Sequence, residues 1–421
     1  MKQFIDFINN SYTAFHAIKN LEEMLEKANF KKLTEDCSWE LEPGCSYYVI
    51  RNTSSIIAFK VPKSTTNVGF NIVASHSDSP SFKVKPNGVV IDTTNDFCKL
   101  NTEGYGGMIT YSWFDRPLGV AGRVYTQSEN SVKEHLVNFD ETLVIPSVAI
   151  HLNRSGEFNP NMQIDMLPLF GNSSTSFDSI LKKYVGDEEV ISHDLFLYNK
   201  EEARLVGASN EYILSSRLDD LECAYTSIKA LIESDAKAIS LCAVFNNEEV
   251  GSRSNNGADS TFLIDTVNEI ISSLKLDTRK TISKSFIVSS DNAHAVHPNH
   301  PEKADPTNRV YMNKGVVIKY QAGLSYTTDA YSEAVFKKIC KLANVDYQDY
   351  TNRSDQRGGS TLGAISLGHL SIPSVDIGLA QLAMHSTLET AGVLDFNSMI
   401  NAIKKYFELS INKINDTTII E

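Results

Sequence analysis

At 421 residues the chain exceeds what one hydrophobic core usually serves, so two domains are the default expectation. Hydrophobic residues make up 42% and charged residues 22%, which excludes a disordered chain, and a net charge of −13 argues against a nucleic-acid partner. No apolar run reaches the ~18 residues a membrane span needs, so no membrane partner is expected. Met1-Lys2-Gln3-Phe4-Ile5-Asp6 lacks the long apolar stretch of a signal peptide. The six cysteines form neither a CxxC pair nor a Cys/His metal spacing, and Cys223 and Cys242 lie in apolar runs as plain thiols. This usage suits a reducing, cytoplasmic compartment.

In chain order, Phe4, Phe7, Ile8, Phe15, Ile18, Leu21, Met24 and Leu25 recur at helical spacing and predict one or two amphipathic helices over 4–28. Tyr47 to Ile50 and Ser55 to Val61 read as a hairpin around Arg51-Asn52-Thr53. Val68 to Ala74 reads as a strand that runs into Ser75-His76-Ser77-Asp78-Ser79-Pro80. Side chains two apart in an extended segment face the same way, so Asp78 can fix the His76 tautomer while the other ring nitrogen binds a metal. From about 88 to 214, short alternating segments and glycines predict a β-rich second domain. His151, in the apolar run Pro146–Arg154, reads there as a strand residue, and such histidines usually sit satisfied in a core. The texture returns to α/β at Ser216-Arg217-Leu218-Asp219-Asp220-Leu221, with a helix predicted over 221–232. The apolar run Ala238 to Val244 reads as a buried strand, followed by Phe245-Asn246-Asn247-Glu248-Glu249-Val250-Gly251-Ser252. If that segment is extended, its two adjacent glutamates point opposite ways and can serve different tasks. Phe286 to Ser289 leads into Asp291, and Ser374 to Ile377 leads towards Met384-His385-Ser386. A closing helix is expected over 396–411.

His76, Asp219, Glu249, Asp291 and His385 therefore come from five places, four of them past strand ends, where open α/β sheets build sites. Two histidines and three carboxylates suit borderline divalent ions such as Zn²⁺ or Mn²⁺. With one carboxylate bridging, such a set holds two metals ~3.5–4 Å apart. Glu248, adjacent and unligated, stands where a general base for an attacking water belongs.

The chain resembles the M18 family of metallo-aminopeptidases, the aspartyl aminopeptidase group, along nearly its whole length. The motifs that carry the likeness include Phe15-His16-Ala17, Tyr47-Tyr48, Arg51-Asn52, Ser75 through Pro80, Trp113-Phe114-Asp115-Arg116 and Ala121-Gly122-Arg123-Val124. Others are Arg217-Leu218-Asp219, Glu248 through Arg253, Asp291 through Pro298 and Met384-His385-Ser386. The resemblance implies an α/β fold: a mixed-sheet α/β/α zinc-peptidase catalytic domain over 1–88 plus 215–421, with an inserted β-rich dimerisation domain over 89–214. It implies two divalent ions, Zn with Mn or Co as alternatives, one on His76, Asp219 and Asp291 and the other on Asp219, Glu249 and His385, with Asp219 bridging. Glu248 would be the base and Asp78 would orient His76. His151 would reach into a neighbouring subunit's active site, and Lys319 would face an acidic first side chain. The assembly implied is a dodecamer of dimers, and the partners are peptides with a free N-terminus.

Several residues depart from the family pattern. Asp220 stands where asparagine is usual, and Thr387-Leu388-Glu389 replaces a segment with an arginine. The Lys319 neighbourhood reads Gln321-Ala322-Gly323-Leu324, and the late motif reads Arg357 through Gly363. The metal set is untouched, so peptidase chemistry is the expectation, with acidic against broad N-terminal preference left open. Ser354-Asp355-Gln356-Arg357 fits a pocket wall and a polar loop equally well. A dimetal hydrolase of N-acyl amino acids or dipeptides and an idle metal-binding scaffold are the rival readings.

Overall fold

The structure is a computed structural model that describes residues 1–154, 158–356, 358–366 and 368–421, Ser366 by its backbone alone. Arg357 lies outside the described residues. The expected helices at the start are Lys2–Asn10 and Ala14–Lys27, and the expected hairpin is Ser46–Arg51 paired antiparallel with Ser55–Lys60. That hairpin joins a mixed sheet of nine strands. At its centre Ile239–Phe245, Phe70–His76, Phe286–Ser290 and Ser374–Gly378 lie side by side, all parallel. The register sets Phe245 opposite His76, so these strands end level with one another.

Every residue of Phe70–His76 and of Ile239–Phe245 is buried, as strands covered on both faces require. Alternate side chains serve opposite layers. Val73, Cys242 and Val244 join one core with the helices Lys2–Asn10, Ala14–Lys27, Leu218–Glu233 and Val393–Phe407. Ile72, Ala74, Leu241 and Ala243 join a second core with the helix Phe262–Ser273. The architecture is therefore the mixed α/β/α arrangement. The closing helix spans Val393–Phe407 and stops short of 411, because Ile411 opens a small hairpin, Ile411–Ile414 with Thr417–Ile420.

A six-stranded antiparallel sheet, drawn from Ser81 to Asn199, has its own core of Phe82, Leu100, Val120 and Leu195. Its strand Ser81–Asp92 begins five residues after the central strand ends at His76, so the change of texture seen near 88 falls inside a strand. The strand predicted around His151 is absent. Residues 150–152 form a turn, and Val148, Ile150, His151 and Leu152 are exposed. An apolar run alone does not make a strand; here the Leu152 N–H donates back to the Ala149 carbonyl at 2.8 Å and closes a turn.

A third sheet, of five strands, is less obvious from sequence. Its order is Arg204–Val206, Tyr212–Ser215, Glu389–Gly392, Ala380–Leu382 and Ala293–His294. These short strands hold the segments that carry Asp219, His385 and Asp291 close to the ends of the central strands.

Candidate metal centre

Three loops that build the site turn through left-handed, non-glycine residues: Arg217 (φ 59°), Asn247 (φ 64°) and His385 (φ 67°). Such conformations persist where the surroundings over-determine them, and they concentrate at functional sites. They aim Asp219, Glu248–Glu249 and the His385 imidazole at one place. The Glu248-Glu249-Val250 segment is a single 3₁₀ turn, where the sequence suggested extended chain. The Glu249 side chain is 4% exposed and lies 3.4 Å from His385 Nε2, with Glu248 before it on the same turn.

Asp219 sits between two imidazoles. Its Oδ1 lies 3.5 Å from His76 Nε2 and its Oδ2 lies 3.3 Å from His385 Nε2. His385 Nε2 is also 3.4 Å from Glu249 Oε1, and His76 Nε2 is 4.0 Å from Asp291 Oδ1. Two triads have ligand atoms mutually within 4.8 Å: His76, Asp219 and Glu249, and His76, Asp220 and Asp291. Asp220, noted in the sequence only as a departure, therefore stands inside the cluster. Its Oδ2 accepts the His76 backbone N–H at 3.1 Å.

The imidazoles are oriented from behind. His76 Nδ1 is 3.1 Å from the backbone carbonyl of Asp78 and 3.4 Å from Asp78 Oδ1. The Asp78 carboxylate accepts the backbone N–H groups of Glu248 and Glu249, each at 3.1 Å, and the Tyr105 hydroxyl at 2.7 Å. Asp78 thus links the His76 imidazole to the glutamate turn, a wider task than fixing a tautomer. His385 Nδ1 faces the carbonyl of Gly107. Glu389, another residue noted only as a departure, accepts from the backbone N–H of Asp219 at 3.1 Å and of His385 at 2.7 Å. No local pattern in the sequence marked Glu389 or Tyr105, since their roles depend on partners far along the chain.

The electrostatics follow from crowding acids below the surface. Burial, then the Asp219 charge, holds Glu249 well above the usual carboxylate range. Burial is also the main cause that raises Asp291 and Asp220 and pushes Glu248 to about 7 and Glu389 to about 8. Burial opposes charge on His76, but the carboxylates of Asp219 and Asp78 overcome it and hold the imidazole well above its ordinary value. His385 is raised to about 10 in the same way, against burial, by Asp219 and Glu249. Asp219 itself is held below the usual range, since His385 and His76 outweigh its burial.

These residues fit a divalent cation. Asp219 Oδ1, Asp220 Oδ1 and Glu249 Oε1 are buried acceptors with no hydrogen-bond donor among the described residues. Buried polar atoms are nearly always paired, so three such atoms beside two imidazole nitrogens describe a place for positive charge.

Two further expected residues lie outside the group of ligand atoms around Asp219. Lys319 is 1% exposed, and its ammonium donates to the carbonyls of Asp291 (2.8 Å) and Asn292 (3.3 Å), with Asp291 Oδ2 at 3.5 Å. It backs Asp291 from inside the sheet. His151 lies in the exposed turn described above and is not among the residues gathered around Asp219. Of the segment 354–357, Asp355 pairs with Arg353 at 2.6 Å on the surface.

The family model for Aminopeptidase I zinc metalloprotease (M18) matches residues 7–407. The probable M18 family aminopeptidase 2 of Clostridium novyi (strain NT) is 44% identical over 425 residues, covering 97% of this chain and 98% of the relative. The protein of the same name from Pseudomonas savastanoi pv. phaseolicola is 36% identical over 417 residues, covering 96% of each. Among solved structures, that of the Ape4 and Nbr1 complex superposes with a TM-score of 0.92 at 34% identity, over 97% of this chain and 85% of the other. The S. cerevesiae mApe1 dodecamer gives 0.84 at 25% identity, over 97% and 96%. No helix among the described residues is long and apolar enough to cross a membrane. With the family model spanning nearly the whole chain and near full-length relatives above 30% identity, the chain belongs to the M18 family of zinc metallo-aminopeptidases and is a peptide hydrolase.

Proposed function

We propose that the protein is a co-catalytic aminopeptidase with two divalent ions, most simply zinc, that removes the first residue of peptides with an unblocked N-terminus. The observation that carries this reading is Asp219, which presents one carboxylate oxygen to each of two imidazoles. His76 and Asp291, with Asp220 beside them, would hold one ion, and Glu249 and His385 the other, with Asp219 shared. Bound there, such ions would polarise the scissile carbonyl and lower the pKa of the attacking water. Glu248, fixed through its backbone N–H to Asp78 and leaving its carboxylate free of a ligand role, takes the proton of that water. It then hands the proton to the leaving amine.

We assign the catalytic unit to residues 1–88 plus 215–421 and a dimerisation role to the β-rich insert 89–214. The exposed run Val148, Ile150 and Leu152 beside His151 is apolar surface of the kind a neighbouring subunit covers. This supports His151 acting in the site of a second copy, within a dodecamer that we take to be built of dimers; the mApe1 neighbour is a dodecamer. The compartment proposed is the cytoplasm. Acidic N-terminal residues remain the proposed preference through Lys319, although that ammonium already faces Asp291 in this structure.

The test is hydrolysis of short peptides, free and N-acetylated, led by Asp, Glu, Leu, Met and Lys, with chelator and then with Zn²⁺, Mn²⁺ or Co²⁺ restored. Metal-dependent release of the first residue from free peptides alone is the expected result. Preference for acylated substrates would favour an N-acyl hydrolase, and no turnover with any metal would leave a scaffold. The ratio of Asp to Leu release reports on Lys319.

A further inference from the structure

The chain leaves the central sheet at His76, enters the inserted sheet at Ser81 and returns beside Asp78 at Tyr105, which pairs with Ser81. From Tyr105 to Trp113 it then crosses the metal centre. Both ends of this crossing are fixed in the insert. The Tyr105 ring packs edge-on against Phe196 at 5.4 Å between ring centres, and the buried Trp113 packs edge-on against Phe82 at 5.1 Å.

Between these anchors the crossing bonds to two of the ligand-bearing segments. On the glutamate side, the Tyr105 hydroxyl donates to Asp78 Oδ2 at 2.7 Å and accepts from Asn247 Nδ2 at 2.9 Å. Asn247 is the left-handed residue that opens the Glu248–Glu249 turn, and Asp78 receives both backbone N–H groups of that turn. Gly106 (φ +75°) passes so close that a Cβ there would stand 3.0 Å from Glu249 Cβ. On the histidine side, the Gly107 carbonyl faces His385 Nδ1, and the Ile109 N–H donates to the His385 carbonyl at 3.0 Å. Ser112 Oγ accepts the Thr387 N–H at 3.0 Å, and the Ser112 carbonyl accepts the Thr387 hydroxyl at 2.7 Å. His76 and Asp291 are held differently, from within the central sheet, the His76 N–H by Asp220 and Asp291 by Lys319.

We propose that Tyr105 and Ser112 are positioning residues, and that the segment from Tyr105 to Trp113 is a strap by which the inserted sheet sets the spacing of Glu249 and His385. This strap, which rests on the metal-centre reading above, makes metal affinity a property of both sheets. A ligand is aimed by the bonds behind it, so loosening the strap weakens the grip on metal while each ligand keeps its place in its own loop.

The test is a competition titration of metal-free protein with Zn²⁺ against a chelating dye, for the wild type, Tyr105→Phe, Ser112→Ala and Tyr184→Phe. Tyr184 is the control, since its hydroxyl lies in the same insert and meets Asp140 and Glu141 instead. Affinity is expected to fall about 10–100-fold in Tyr105→Phe and in Ser112→Ala, and to stay unchanged in Tyr184→Phe. Unchanged affinity in either strap variant, or an equal fall in the control, overturns the proposal alone. A wild type that takes up no Zn²⁺ overturns the metal-centre reading with it. Amide hydrogen exchange of the wild type, metal-free against metal-loaded, gives a second reading that needs no variant to fold. Coupling is reciprocal, so bound metal should slow exchange at Ile109 and Thr387, whose N–H groups meet the His385 carbonyl and Ser112 Oγ. Equal exchange in the two states at either amide overturns the proposal.

Discussion

Two buried charge clusters in this molecule are built in opposite ways. Around Arg123, each nitrogen has an acceptor: Nη1 meets the Asn52 carbonyl, Asn52 Oδ1, Thr53 Oγ1 and Glu134 at 3.0–3.2 Å, and Nε and Nη2 each meet Asp194 at 3.0 Å. The guanidinium also lies over the Phe15 and Tyr125 rings, and Asp194 takes Lys83 at 2.7 Å. This cluster ties the six-stranded sheet to the hairpin turn at Asn52–Thr53 and has no capacity left for a ligand. Around Asp219, acids outnumber imidazoles and three buried acceptor oxygens have no donor among the described residues. A saturated network holds parts of the fold together, and an unsaturated one holds something that the fold does not supply.

The contrast can be broken first at Glu248. Glu248→Gln keeps the shape and the backbone bond to Asp78, and it is expected to lower kcat by about 10²–10⁴-fold while metal content, measured by elemental analysis, stays unchanged. Retained turnover would remove Glu248 from the mechanism. Next is Asp219→Asn, which takes charge from the shared ligand. Metal affinity should drop by at least about 100-fold in a competition titration, more than the loss of a supporting residue would cause. Near-normal affinity would contradict the shared-ligand assignment.

The saturated cluster should respond in another currency. Arg123→Met leaves Glu134 without its cation and Asp194 with Lys83 alone, and should cost about 1–3 kcal/mol in denaturant unfolding. Metal content and kcat of the folded fraction should not change. A loss of metal there would blur the distinction between the two clusters.

The smallest effect belongs to His16, a buried histidine whose Nδ1 lies 2.9 Å from Thr13 Oγ1. Burial, helped by the nearby Arg217 charge, lowers it to about 4. The unfolded chain, with an ordinary histidine value of about 6.5, therefore binds a proton in a window where the folded chain does not, and stability falls as pH drops from about 6.5 towards 4. At about pH 5.5 the loss is about 1.4 kcal/mol, and His16→Gln should lack this component of the slope. An unchanged slope would mean that His16 is charged in the folded state.

Much of the fold was legible because burial and periodicity are local. Strand-length apolar runs ending in His76, at Glu248–Glu249 and at Asp291 mark the four-strand centre without reference to anything else in the chain. Where the sequence misled, context was missing. The apolar run around His151 looks like a strand but closes a turn at 150–152, and the Glu248 turn looks extended until Asn247 reverses the chain. The five-stranded sheet escaped notice because its strands are too short to show a period.

By itself, the sequence determined which residues could do the chemistry, since ligand type and position at a strand end are properties of a few adjacent residues. It also carried the family likeness. The tertiary structure alone decided how those residues share the work. Asp219 lies between two imidazoles, Glu389 joins the backbones of Asp219 and His385, and Asp220 enters the cluster because segments far apart in the chain meet there. It also set Lys319 against Asp291. Pairing and its absence depend on distance in space, to within about an ångström, and no local pattern encodes that.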